Sequence, residues 1–373
     1  MSLARIYARA FVKESIVERQ SPILLFRQKN RWGLTVLSVV LALVIAPFTS
    51  LGLLMPQFVA LLPVLMLVLL GFVGPVSVVC CGAALVGLCG FFYGLTGGVC
   101  ALMLLVPLLV AATVTVERRM GFFLSVAICA GVMFASMTAI LGLIALQAGT
   151  DVASALSSLL GYALTSVGDA ADPMLLTLAQ AGMISLPAGA GAGIADSVHI
   201  TAEARGEMIA MLVYLMDRSF RLELPMQMTV GSLAAGVLGQ AALRRGALSR
   251  GIAVAYPPLR TWRLPSGWGR VLGVTLAALV LAAQLTRSLS TMAYVFSGVF
   301  TELFALQGVA ALCYKLHEAG KGKRTAALAF ALGYFIARPI ATILGIADQA
   351  FDFTHRRALL DTGDNPYDPR AKL

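Results

Sequence analysis

The sequence predicts an all-α, polytopic transmembrane helical bundle of about nine crossings, preceded by an amphipathic N-terminal helix. Three observations predict it. Hydrophobic residues make up 59% of the chain and charged residues 12%, with a mean hydropathy of +0.87, whereas a soluble domain carries about 25% charge. No Asp, Glu, Lys or Arg occurs between Trp32 and Val116. The basic residues flank apolar runs instead of forming one stripe with interleaved aromatics. The net charge of +10 therefore reads as membrane topology, and no nucleic-acid partner is expected.

Residues 1–31 hold seven Lys or Arg. Leu3, Ile6, Tyr7, Ala10 and Phe11 recur at helical spacing opposite Arg5, Arg9 and Lys13, which predicts a surface helix leading into an uncleaved first span. The uncharged block that follows is too long for one crossing of about 20 residues. Turn signals at Met55-Pro56, Gly74-Pro75 and Thr96-Gly97-Gly98 divide it into crossings at about 32–54, 57–73, 75–94 and 97–116, and a fifth runs over about 120–147. Residues 149–223 are richer in Gly, Ala, Ser and Asp, with eight acids against three bases and a Gly/Ala run at 188–193. They predict short amphipathic helices on or dipping into the outer face, with Met208–Met216 too short to cross.

A sixth crossing, about 224–243, completes a six-span unit over 32–243. A basic loop, 244–270, leads to three closing spans within 271–348, at about 271–285, 290–313 and 324–348, and a polar tail occupies 349–373. With the amino terminus in the cytoplasm, the segments 1–31, 117–119, 244–270 and 315–324 are all inside and hold nineteen Lys or Arg against four acids. The acidic segment then lies outside, and nine crossings put the carboxyl terminus outside too. Arg356 and Arg357, close to the last span, fit that end poorly, and a re-entrant short span would change the count to eight or ten.

Two ionisable residues interrupt the last hairpin, Glu302 near the middle of one run and Arg338, followed by Pro339, near the middle of the next. Charges at mid-depth are costly and tend to pair or line a cavity, so the two form a candidate intramembrane pair. The alternative is local: Arg338 snorkels or binds carbonyls freed by a kink at Pro339, and Glu302 faces a wet crevice. Ala42 and Ala46 make a small-xxx-small pattern suited to docking a partner helix or to internal packing. Trp32, Trp262 and Trp268 beside basic residues read as interfacial anchors. The six cysteines fall in apolar spans outside any CxxC or Cys/His spacing, and the three histidines are far apart. The sequence therefore offers no catalytic residue, metal ligand or cofactor site, and no enzyme is expected.

Several short motifs recur together: Pro258-Leu259-Arg260 and Arg263-Leu264-Pro265 in the basic loop, Gln307-Gly308 in the penultimate run, and Gly345-Ile346-Ala347-Asp348 with Arg356 at the end. In these the chain resembles the YybS-like family of bacterial polytopic membrane proteins, a resemblance that assigns no residue a catalytic role. More distantly it is similar to the substrate-binding membrane subunits of energy-coupling-factor transporters, where small residues on the first helix dock a coupling subunit. Ala42 and Ala46 are the matching positions, although this chain has about three more crossings. The resemblance implies a bacterial inner-membrane protein that binds or moves a small solute, with the bilayer and a membrane or cytoplasmic subunit as partners. The alternatives are a scaffold that recruits cytoplasmic partners or anionic lipid and a membrane-embedded lipid-modifying enzyme.

Overall fold

The computed structural model describes residues 32–45, 61–118, 120–185, 200–249, 254, 259–264, 267–286 and 288–354. The amphipathic segment 1–31, Ala46, the Met55-Pro56 break, the Gly/Ala run and the tail beyond Thr354 lie outside them. Every regular element among the described residues is helical. In order they are α1 (Trp32–Ile45), α2 (Leu61–Phe72), α3 (Pro75–Glu117), α4 (Phe122–Ala148), α5 (Val152–Val167), α6 (Asp172–Gln180), α7 (Ala202–Ser249), α8 (Trp268–Leu285), α9 (Ser288–Glu318), α10 (Lys323–Ala331) and α11 (Arg338–Phe351). Four of these, α3, α4, α8 and α9, are long and apolar enough to cross a membrane, and α10 with α11 make a fifth if that bent pair counts as one.

The difference from nine has identifiable causes. Helix α3 is one run of helix in name only: Gly94 sits at φ 68°, ψ −171°, a conformation open to glycine, and the chain reverses there. A Cβ built on Gly98 would lie 3.5 Å from Cα of Gly90 and 3.6 Å from the Val86 carbonyl, whereas a straight helix would separate residues 86 and 98 by about 18 Å. The two arms correspond to the third and fourth crossings read from the sequence. Of the first two crossings, only α1 and α2 fall among the described residues. The segment read as the sixth crossing forms the last half of α7, whose glutamines, Gly and Ser dilute its hydropathy, and α7 is not among the four. The short amphipathic helices expected within 149–223 appear as α5 and α6, and only the 208–216 run differs, being part of the long α7. The run 208–216 is continuous with the segment read as the sixth crossing, because no Gly or Pro occurs from Glu207 to Leu224 and charges such as Asp217 and Arg218 do not break a helix.

Helix α7 is the central post, with α2, α4, α5 and α9 packed on it. It runs antiparallel to α4, and polar contacts mark the register: Arg221 reaches Asp151, Ser232 faces Met137, Gln240 meets Cys129 and Arg244 meets Ser125. Leu67, Leu108, Met133 and Leu243 fill the core between these helices. Apolar lipid gives apolar helices no reason to associate, so close approach at small residues and interhelical hydrogen bonds must specify the bundle. Gln240 donates to Thr115 Oγ1 (2.9 Å) and to Cys129, while Arg244, 1% exposed, donates to Gln240 Oε1 (3.1 Å), the Met120 carbonyl (2.8 Å) and Ser125 Oγ (2.6 Å). One arginine thus ties α7 to α4 and to the turn that precedes it.

At the acidic end, α5 and α6 fold back on the head of α7. Asp151 caps α5 by accepting from the Ala153 and Ser154 amides, both at 3.1 Å. Arg221 clips Asp151 and Asp217, each at 2.9 Å, and Arg205 binds Asp172 (2.6 Å) and Asp169 (2.7 Å). The Ser154 amide, then Arg221, holds the Asp151 carboxyl below its ordinary range, and Arg221, then the Ser154 hydroxyl, does the same for Asp217. Carboxyls with depressed folded values stabilise the closed head above the usual carboxylate pKa, and that stabilisation is lost as pH falls through the folded values. Arg221→Gln is expected to shift acid-induced loosening of α5 up toward the unperturbed pKa of about 3.9, read as faster amide exchange over residues 152–167. Unchanged pH dependence would deny Arg221 this role.

The last expected crossing is not a straight span. Helix α10 passes through a π-helical turn, Leu332–Ile336, and meets α11 at a bend of 105°. Ala337 leaves helical geometry (φ −102°, ψ 34°), and Pro339, in the first turn of α11, has no amide N–H to bond back into the π turn, so the helix cannot run on unbroken. Helix α10 rises beside α9, with Cys313 against Ala326 and Val309 against Gly333. Helix α11 then returns, so that Asp348 and Asp352 lie against Arg263 in the loop between α7 and α8. The bent pair has the geometry of a broken span or of a re-entrant loop, and the tail, with Arg356 and Arg357, lies outside the described residues.

Candidate functional site

Two buried polar clusters flank the crossing of α9 and α11. In the first, Glu302 is fully buried on α9 and accepts hydrogen bonds from the Tyr334 hydroxyl and the Arg338 guanidinium. The structure thus brings together the two charges singled out in the sequence, and adds a tyrosine. The π turn places Tyr334, and the break places Arg338 at the start of α11, so both donors come from the irregular backbone. Arg338 is 37% exposed at its side chain, and its Nε is buried with no acceptor among the described residues. Thr342 fixes the start of α11 by donating to the Arg338 carbonyl (3.0 Å).

The second cluster lies one turn further along α9. Gln307 Oε1 accepts from the Leu264 amide (3.2 Å), and its Nε2 donates to Asp348 Oδ2 (3.3 Å) and Gln349 Oε1 (3.0 Å). Arg263, its side chain 2% exposed, pairs with Asp352 and donates to the Asp348 carbonyl (3.1 Å), and Thr354 donates to Asp348. Between the clusters, α9 and α11 touch backbone to backbone, because a Cβ on Gly308 would overlap the Ala341 carbonyl and one on Gly345 the Phe304 carbonyl. The short motifs behind the family resemblance meet here: Arg263-Leu264, Gln307-Gly308 and Gly345 with Asp348.

Beside this crossing, α8, α9 and α11 enclose a groove of about 670 Å³. Phe300, Phe304 and Ile346 make its apolar wall, Gly267 and Gly273 leave the α8 side bare, Gly269 seats the Gln349 side chain, and Arg270 and Gln349 supply polar groups. Gln349 joins the groove to the Gln307–Asp348 cluster. Glu302 and Arg338 are not among the lining residues. Its volume is that of a small-ligand site.

The other expected site residues divide. Trp32 and Trp268 are exposed, at 67% and 55%. Trp262 is instead buried against Phe122 (ring centroids 4.7 Å apart), packing the loop onto α4, so it is no interfacial anchor. Ala42 is buried among Met66, Cys81 and Leu105, which spends its small side chain on internal packing and leaves no docking surface at that position. Tyr334, Gln307, Asp348 and Arg263 were not marked as site residues by sequence reasoning. Gln307 is 41 residues from Asp348, and Arg263 is 85, so no local spacing relates them.

The apolar helices make the chain compatible with an integral membrane protein. No family model, curated protein or solved structure matches it.

Proposed function

We propose that this chain is a multi-pass protein of a bacterial inner membrane that binds a small solute in the groove between α8, α9 and α11 and moves it, alone or as a subunit of a larger transporter. The observation that carries this reading is a groove of about 670 Å³ beside a broken helix. Interrupted helices at membrane depth are a recurrent means of building solute sites, since irregular backbone there survives only where protein or a cavity satisfies it. Glu302 and Arg338 neutralise each other in the state described. The spare Nε donor of Arg338 and its partial exposure leave it able to exchange the carboxylate for solute or a proton carrier as α11 shifts on α9. A scaffold would be packed shut between these helices, which makes the groove the feature that favours solute binding. The lipid-enzyme alternative lacks several converging acid and base groups at the groove.

The test is thermal stabilisation of the purified protein, screened against vitamins, nucleosides and amino acids. A binding solute is expected to raise Tm in the wild type and lose its effect in Gly273→Phe. A Cβ at Gly273 meets nothing within 4 Å, so the phenyl ring can enter the groove without displacing backbone. Stabilisation indifferent to Gly273→Phe, or no stabilisation by any added molecule, lipids included, removes this reading.

A further inference from the structure

We infer that the ligand of the groove is an amphiphile with an anionic head, an anionic glycerophospholipid entering sideways from the bilayer. This deepens the functional proposal and rests on its assignment of the groove as a binding site. Three features converge on that chemistry. The lining holds one cation, Arg270, and no carboxylate, and Arg270 forms no ion pair among the described residues. The remaining surface is suited to a chain, with Phe300, Phe304 and Ile346 on one side and a glycine-bared helix on the other. Helix α8, which bounds the groove, buries only Leu272, and its Val271, Val274 and Leu281 are 60%, 70% and 70% exposed. In a membrane those faces lie in lipid, so the groove is reached from the acyl layer and not only from water.

The depth of the charge agrees. Arg270 lies in the first turn of α8 beside the exposed Trp268, and tryptophan with arginine at a helix end settles at headgroup level. An anionic head bound there places its acyl chain along α8 toward Gly273 and Phe300. A zwitterionic head such as phosphocholine also offers a phosphate, but its own ammonium opposes Arg270, so it gains less.

The experiment is thermal unfolding in neutral detergent with added phosphatidylglycerol, phosphatidylcholine or glycerol phosphate. Phosphatidylglycerol is expected to raise Tm by about 5 °C at saturation, with little shift from the other two. The shift is expected to vanish in Arg270→Gln, a surface change that leaves the core intact, and in Gly273→Phe. It should persist in Arg245→Gln, which removes an exposed cation at the same end of the bundle. Equal shifts from phosphatidylcholine, a shift retained in Arg270→Gln, or loss in Arg245→Gln would each overturn the inference. So would an equal response to glycerol phosphate, which would identify the head alone as the ligand. If a water-soluble solute stabilises in a Gly273-dependent manner while lipid does not, the groove keeps its role and only the lipid identity falls. If no added molecule acts through Gly273, both fall.

Discussion

Gly345→Ala and Gly308→Ala are each expected to destabilise the protein by at least about 3 kcal/mol, far beyond the usual cost of one methyl group. The added Cβ would occupy the space of a carbonyl on the facing helix, of Phe304 for Gly345 and of Ala341 for Gly308. Backbone cannot rotate away as a side chain can, so α9 and α11 must separate. Separation would also strain the hydrogen bonds from Gln307 to Asp348 and from Tyr334 to Glu302. Gly273→Ala provides the contrast. It is also a helix-interior glycine, but its Cβ is unobstructed, and replacing it should stabilise by up to about 1 kcal/mol through helix propensity alone. Thermal unfolding of the three variants in one detergent checks the pattern. Equal effects at all three positions would mean that α9 and α11 do not cross at these glycines.

Arg338→Met is expected to cost about 3–5 kcal/mol, because the fully buried Glu302 must then either keep an uncompensated charge or take up a proton, with only the Tyr334 hydroxyl beside it. Glu302→Gln should cost less, since Arg338 is partly exposed and water can solvate what the carboxylate releases. The double variant, Glu302→Gln with Arg338→Met, should lose less than the two single losses together, by about 1.5 kcal/mol or more. A double-mutant cycle on Tm and denaturant midpoint measures this coupling. Strict additivity would show that the two side chains act independently, and would take with it the exchange of partners proposed for transport.

The legible parts of this protein were those encoded within one turn or one run of residues. Hydropathy located α3, α4, α8 and α9, and glycine placed the reversal inside α3 to within a few residues, at Gly94 where Thr96-Gly97-Gly98 had suggested it. Glu302 and Arg338 stood out because a charge in an apolar run has few explanations. What escaped was set by tertiary structure. Met208–Met216 looked detached because Asp217 and Arg218 fence it, yet those residues are good enough helix formers and α7 runs straight through. The last run had a bilayer's length, so it read as a crossing; its break depends on the π turn at Leu332–Ile336, which exists to bring Tyr334 onto Glu302. Trp262 beside arginines read as an interfacial residue, but Phe122 and Val126 offered it a buried seat. Asp348 passed for the end of a span because its partners Gln307 and Arg263 come from distant segments.

Forty-eight residues without a break make α7 about 72 Å long, more than twice the roughly 30 Å of a bilayer's hydrocarbon layer. Pro225, which has no amide N–H to continue the hydrogen-bond ladder, falls between the head gripped by Arg205 and Arg221 and the stretch held by Arg244. One helix thus reaches from the acid-rich head to the end of the bundle where the 259–264 loop lies.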